Sequence, residues 1–349
     1  MKAKNRPQSM QKLYAFGEKR KIDLSLSENP LGCSPRVSSA LKTMKIDFND
    51  YPVPNGKSLK TAFAKENDLD QGNFFISNGS EATICALPRV FMEKNAQALM
   101  PSLTFPMFNI CSSIAGMKVK EIEMTKDFGI NLEEMRKAVN KNTKLVFLCN
   151  PNNPTGSIIS KKEIINFLDS LPKSIFLIVD EANIEFGGES VISEVKRRKN
   201  LIVLRTFSKG FGLASLRVGF AVSCKNVIKR LEEKSQPFAT SGISEQLVIE
   251  ALKDKQFIKE TKEFVDEQRE FLRTELEKLG FKVFPSEANN LFVKIPTRIK
   301  VKTFLNKMEQ ESVSLVMGKN FKGIGNRFFR LSIRDKKTNM RFLKIINNI

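Results

Sequence analysis

From about residue 58 to residue 224 the chain alternates two textures. One is the short, nearly unbroken apolar run: "NFFIS", "AQALMP", "KLVFLCN", "SIFLIVDEA" and "NLIVLRTFS". The other places apolar residues every three or four positions, as in "SLKTAFAKEN", "SEATICALPRVFM", "FNICSSIAG" and "SKKEIINFLDSL". Unbroken runs predict strands buried on both faces, and the longer period predicts helices that cover them. Their alternation predicts an α/β fold with a mainly parallel sheet. After Ser241 the texture changes to a long helical stretch that stops at Gly280. Then follow "KVFP", "NLFVKI", a helix near "VKTFLNKMEQE", "FFRLSI" and a terminal helix, which predict a smaller α+β domain. The first 45 residues carry no sheet pattern. The expected division is an arm over 1–45 that joins the small domain, a large domain over 46–240 and a small domain over 241–349.

Composition narrows the chemistry. With 41% apolar residues in 349, a sizeable core is expected, and no apolar run reaches membrane-spanning length. The basic start "MKAKNRPQSMQK" has no apolar stretch behind it, so no signal peptide is expected. Five scattered cysteines, Cys33, Cys85, Cys111, Cys149 and Cys224, show no metal-type spacing and predict reduced thiols in a cytoplasmic protein. There is no histidine, which excludes imidazole triads and histidine-held metals. Proton transfer near neutral pH therefore falls to a lysine, a carboxylate, a tyrosine or a cofactor. The net charge of +20 raises a nucleic-acid-binding protein as a rival reading. The lysines, however, are spread along the chain and mixed with glutamates on helical faces, with no basic stripe or recognition helix. A phosphorylated small substrate would also gain from a positive field.

In an open parallel sheet, ligands bind beyond the carboxyl ends of the strands. After "NFFIS" comes Asn78-Gly79-Ser80-Glu81, a turn opening a helix and an anion cup in form. After "KLVFLC" comes "NPNNPTG", after "IFLIV" comes Asp180, and after "LIVLRTFS" comes Lys209. Singly, each has an ordinary reading as a cap, a turn, an ion-pair partner or a surface lysine. Together they supply what pyridoxal 5′-phosphate requires. Its aldehyde condenses with an amine (Lys209), and its ring nitrogen stays protonated beside a buried carboxylate (Asp180). Its phosphate needs a cup (Gly79, Ser80), its ring a face (Phe105) and its phenolic oxygen a donor (Asn153). Arg217 adds a charge-assisted contact to the phosphate.

The motifs "SENPLGCSP" (27–35), "YPVPNG" (51–56), "SNGSEATI" (77–84), "SLTFPMF" (102–108), "NPNNPTG" (150–156), "VDEANIEF" (179–186), "RTFSKGFGLASLRVGF" (205–220) and "FFRLSI" (328–333) span nearly the whole chain. They resemble those of fold-type I aminotransferases, most closely the histidinol-phosphate aminotransferase group. The resemblance implies that Lys209 holds the cofactor, Asp180 pairs with the ring nitrogen and Asn153 bonds the phenolic oxygen, with Phe105 against the ring. It gives the phosphate to Ser80, Ser208 and Arg217, with backbone from Gly79 and Glu81. It gives Tyr51 to the phosphate of a neighbouring subunit, and hence implies a homodimer. It gives Arg330 to the substrate carboxylate, and places Asn29 and Tyr14 in the substrate pocket, Tyr14 having an ordinary arm contact as its alternative.

Two positions depart from that family's pattern. Asn183 stands where a tyrosine usually donates to the phenolic oxygen. Met317, with Lys319 nearby, stands where spacing from Arg330 puts an arginine for the substrate's phosphate. The resulting expectation is a transaminase exchanging an amino group between glutamate and a small phosphorylated carbonyl, such as imidazole acetol phosphate or dihydroxyacetone phosphate. A decarboxylase of a phosphorylated amino acid is the near rival. No membrane, metal or nucleic-acid partner is expected.

Overall fold

The computed structural model describes residues 20–321 and 323–349, so Tyr14 lies outside the described residues. Strand β1 (Ile22–Asp23) opens them and belongs to the smaller part of the molecule. The larger part is built on β2 (Phe74–Asn78), β3 (Gln97–Pro101), β4 (Lys118–Ile122), β5 (Thr143–Cys149), β6 (Phe176–Asp180), β7 (Leu201–Thr206) and β8 (Val218–Val222). These form one sheet in the order β2-β8-β7-β6-β5-β3-β4. β8 runs antiparallel to both neighbours and every other pairing is parallel. This is the mainly parallel α/β sheet that the apolar runs predict.

The unbroken runs have a simple cause. Successive strand side chains point to opposite faces. Val146, Leu148, Leu177, Val179 and Val203 pack into a core on one face, with Phe63 and Phe167. Leu145, Phe147, Ile178, Ile202 and Leu204 pack into a second core on the other, with Ile84 and Phe108. β4, "KVKEI", gave no such signal because it is the sheet edge, where charged residues stay in water.

Two sequence-based expectations need correction. The long helical stretch is two helices, Gly242–Leu252 and Lys255–Lys278, broken at Asp254, which caps the second by accepting from Phe257 N at 3.1 Å. The first of them sends Leu247, Val248 and Ala251 into the large-sheet core. The change of texture at Ser241 is therefore not the boundary between the cores. The thiol expectation also differs: Cys85 and Cys111 are disulfide-bonded, with Cα atoms 4.8 Å apart, and Cys33, Cys149 and Cys224 are free. Packing of helix Gly79–Val90 against helix Met107–Ile114 brings together two residues whose sequence spacing carries no hint of pairing.

The smaller part holds β9 (Lys282–Phe284), β10 (Asn290–Lys294), β11 (Val313–Ser314), β12 (Val316–Met317) and β13 (Phe328–Ser332). β9, β10, β12 and β13 form an antiparallel sheet in the order β12-β13-β10-β9, while β11 pairs in parallel with β1. Phe329, Leu331 and Ile333 enter this part's own core with Phe304 and Phe342. From β1 the chain continues along β13, and Ser332 N donates to Leu24 O at 2.9 Å. Residues 24–28 thus form a strap alongside β13.

Candidate active site

The carboxyl ends of β2, β5, β6 and β7 lie along one sheet edge, and each delivers a group there. Asp180 ends β6 and is 2% exposed. Its Oδ1 accepts from Ala182 N at 3.1 Å. Burial pushes its carboxyl up to about 7, opposed by the Ala182 N–H, assisted by neighbouring Glu181, and opposed by the charge of Lys209. Lys209 follows β7, and its Nζ donates to Leu26 O of the strap at 2.6 Å. Withdrawal from water brings this amine down to about 8; Arg330 and Arg217 act the same way, while Glu28 and Asp180 oppose. The amine and the carboxyl thus share one electrostatic neighbourhood, as expected for a pair that must hold one ring.

The anion cup is assembled from three segments. Gly79 opens helix Gly79–Val90 at φ +74°, and a Cβ there would stand 2.5 Å from Arg217 Nη2, so the guanidinium lies directly over the turn. Gly219 of β8 packs against it, since a Cβ at 219 would meet Ser80 N at 2.3 Å. Arg217 Nη1 donates to Ser208 Oγ at 3.3 Å and to Ala214 O at 3.1 Å. Ser208 Oγ also accepts from Thr206 Oγ1 at 3.0 Å. A helix N-terminus under an arginine and two serines suits a phosphate. Glu81 sits in the first turn of the same helix. Phe105 is half-buried and edge-on to Phe108, at 5.8 Å between ring centres.

Asn153 Oδ1 accepts from Arg330 Nη1 at 2.7 Å, which leaves the Asn153 amide NH2 to donate. The second arginine terminus, Nη2, donates to Ser25 O of the strap. Arg330 is 8% exposed on a sheet face that carries Phe292 and Val316 opposite it. Asn183 is buried and its Oδ1 has no hydrogen-bond partner among the described residues. A buried, unsatisfied amide is costly unless a ligand completes it. The glycine cradle under Arg217 and the buried acid and amine together fit pyridoxal phosphate.

Two expected site residues make other contacts, and a third lies outside this chain's own cleft. Met317 turns into the small-domain core, and the residue paired with Arg330 across the strands is Val316. No arginine faces Arg330 from that strand. Asn29 is buried and its amide is consumed by protein: Nδ2 donates to Gly210 O at 2.7 Å and to Thr261 Oγ1 at 3.3 Å, and Oδ1 accepts from Leu31 N at 2.9 Å. It ties the strap to the lysine-bearing loop. Tyr51 lies on the surface, 83% exposed and stacked on Phe238 at 5.0 Å, not in this cleft of its own chain. Sequence reasoning also missed a buried clamp beneath Lys209. Arg205 Nη2 donates to Glu185 Oε1 at 2.7 Å, its Nη1 lies 3.3 Å from Glu181 Oε2, and the Glu185 side chain abuts Gly210. Both glutamates lie inside the quoted "VDEANIEF" motif, where only the aspartate and the asparagine drew notice.

A doubly wound sheet with a lysine, a buried acid and a phosphate cup at its carboxyl edge defines a pyridoxal-phosphate-dependent transaminase of fold type I. Residues 19–346 match the family model for aminotransferase class I and II, and the chain belongs to that family. It is 35% identical over 279 residues to histidinol-phosphate aminotransferase 2 of Oceanobacillus iheyensis, covering 79% of this chain and 77% of the relative. It is 32% identical over 335 residues to histidinol-phosphate aminotransferase of Pelagibacter ubique, covering 94% and 92%. Among solved structures, histidinol-phosphate aminotransferase from Clostridium acetobutylicum superposes with a TM-score of 0.87 at 25% identity, covering 94% of this chain and all (100%) of that one. L-threonine-O-3-phosphate decarboxylase from Porphyromonas gingivalis shares the fold, with a TM-score of 0.81 at 21% identity, covering 94% and 98%.

Proposed function

We propose that the enzyme transfers an amino group between glutamate and a small phosphorylated carbonyl compound of the histidinol-phosphate type. The observation that carries this is Arg330, an arginine withdrawn from water and anchored between Asn153 and the strap, close enough to Lys209 to depress its amine. Its planar fork suits a carboxylate held beside the reacting carbon. When bound, pyridoxal phosphate supplies the aldehyde and the electron-withdrawing ring. The chain's own residues do the rest. Gly79, Ser80, Ser208 and Arg217 hold the phosphate, Asn153 donates to the phenolic oxygen, and Phe105 supports the ring. Asp180 keeps a positive charge on the ring nitrogen. Asn183 takes the usual tyrosine's place with a shorter donor that does not titrate. Lys209 Nζ moves the proton of the substrate's α-carbon, a task its lowered pKa suits in a chain without histidine. The strap restricts water above it.

The working unit is a homodimer, with Tyr51 reaching the partner's phosphate. Supporting this, Tyr51 lines a groove of about 450 Å³ with the exposed Phe48 and Val53, and stacks on the exposed Phe238. The enzyme acts in the cytoplasm on soluble metabolites; among the described residues no helix is long and apolar enough to cross a membrane. The test is incubation with glutamate and a panel of phosphorylated carbonyls, scored by 2-oxoglutarate. Stoichiometric 2-oxoglutarate is expected. Carbon dioxide release from a phosphorylated amino acid, without 2-oxoglutarate, would overturn it in favour of decarboxylation.

A further inference from the structure

The loop between β4 and helix Leu132–Ala138 carries Phe128 at a left-handed φ of +60°, a conformation that a bulky side chain rarely adopts. The turn around it is closed by its own bonds. Thr125 N donates to Gly129 O at 2.9 Å, Phe128 N to Thr125 O at 3.0 Å, and Gly129 N to Thr125 Oγ1 at 2.9 Å. So built, the turn holds the Phe128 ring out from the large part of the molecule. The ring stands edge-on to three phenylalanines of the small part: Phe284 at 4.8 Å, Phe292 at 5.2 Å and Phe328 at 5.4 Å between ring centres. Edge-to-face is a favoured geometry for such pairs. Phe292 and Phe328 are themselves stacked, 5.5 Å apart.

All three partners lie on the sheet face that carries Arg330. Phe292 pairs with Arg330 across β10 and β13, Phe284 pairs with Phe292 across β9 and β10, and Phe328 precedes Arg330 on the same side of β13. That face meets the large part at a second, polar place. Arg330 Nη1 donates to Asn153 Oδ1, and Asn290 Nδ2 donates to Pro154 O at 2.9 Å. Ser157 Oγ, just beyond the same loop, donates to Phe128 O at 3.3 Å and so ties the two places together. One contact fixes a point on the small sheet; two fix its tilt. We propose that Phe128 is a positioning residue for the reaction: its ring, wedged among the three phenylalanines, sets how the small sheet sits on the large one and so where Arg330 meets the substrate carboxylate. The inference rests on the transaminase reading and on Arg330 as its carboxylate arginine.

The test compares the holoenzyme with Phe128→Gly, which suits the left-handed backbone and removes only the ring. KM for glutamate should rise roughly fivefold to tenfold, the scale of the lost edge-on contacts, with kcat little changed. Cofactor affinity in a spectral titration should stay at its wild-type value, because the phosphate cup lies wholly in the large part. Phe128→Leu, which restores apolar volume, should recover part of the loss. In an Arg330→Gln background the Phe128→Gly change should add little, because its effect passes through that arginine. Losses that simply add, an unchanged glutamate KM, or a fall in cofactor affinity that matches the rise in KM would make Phe128 ordinary packing and overturn the inference. Should Phe128→Gly not fold, Phe128→Leu decides alone by the same comparison in the two backgrounds. An Arg330→Gln single variant with unaltered glutamate KM would bring down the carboxylate reading, and the inference with it.

Discussion

Lys209 differs from the chain's other lysines by its surroundings. Its amine titrates at about 8 instead of its ordinary 10.5, so far more of it is neutral near physiological pH. Only the neutral amine attacks an aldehyde. Uptake of cofactor by cofactor-free protein, followed in the visible region, should accelerate about tenfold per pH unit below the amine's pKa and level off above it. A rate still climbing at the ordinary lysine pKa would contradict the burial argument. Asp180 shows the converse effect. Its folded carboxyl, raised from 3.8 to about 7, binds a proton more tightly than the unfolded chain does. Alone, that group makes the cofactor-free protein lose stability as pH rises through this interval, and the loss is complete above it. Asp180→Asn should flatten this fall, measured as denaturant midpoints on either side of the interval, while lowering turnover of the loaded enzyme by orders of magnitude. Lys209, Asp180 and Asn153 were legible because a strand end declares itself in the sequence. The contacts of Asn29 and Met317 were not, because they depend on where one amide is spent and which side chain turns into the core.

At the scale of elements, the phosphate cup depends on close backbone approach. Gly79 combines a left-handed φ with a guanidinium where its Cβ would be. Gly79→Ala should therefore displace Arg217 and weaken cofactor binding by at least about tenfold in a spectral titration, with little change in helix content. Unchanged affinity would mean the turn does not face the phosphate. The parallel strands were legible from their unbroken runs, since both faces are covered. β4, β8 and the two-residue strands β1, β11 and β12 were not: an edge strand stays polar, β8 contains a glycine inside a loop-like motif, and two residues carry no periodicity. The Cys85–Cys111 link belongs here too, a contact between neighbouring helices that only their packing reveals.

For the whole molecule, the exposed Phe48, Tyr51, Val53 and Phe238 are an apolar surface that a soluble monomer rarely keeps. Sedimentation should give a dimer, and Tyr51→Ala should lower cofactor affinity more than it lowers helix content; a monomer with full activity would refute the shared site. The strap has a different kind of consequence. Arg330 meets Ser25 across 305 positions of chain, and β1 finds its partner only at β11. On the ribosome, the wall above the lysine is made about three hundred residues before the strand it leans on. A nascent chain cut short before β13 would carry every cofactor ligand of its sheet and still lack a closed room for the reaction, so activity waits for that one strand.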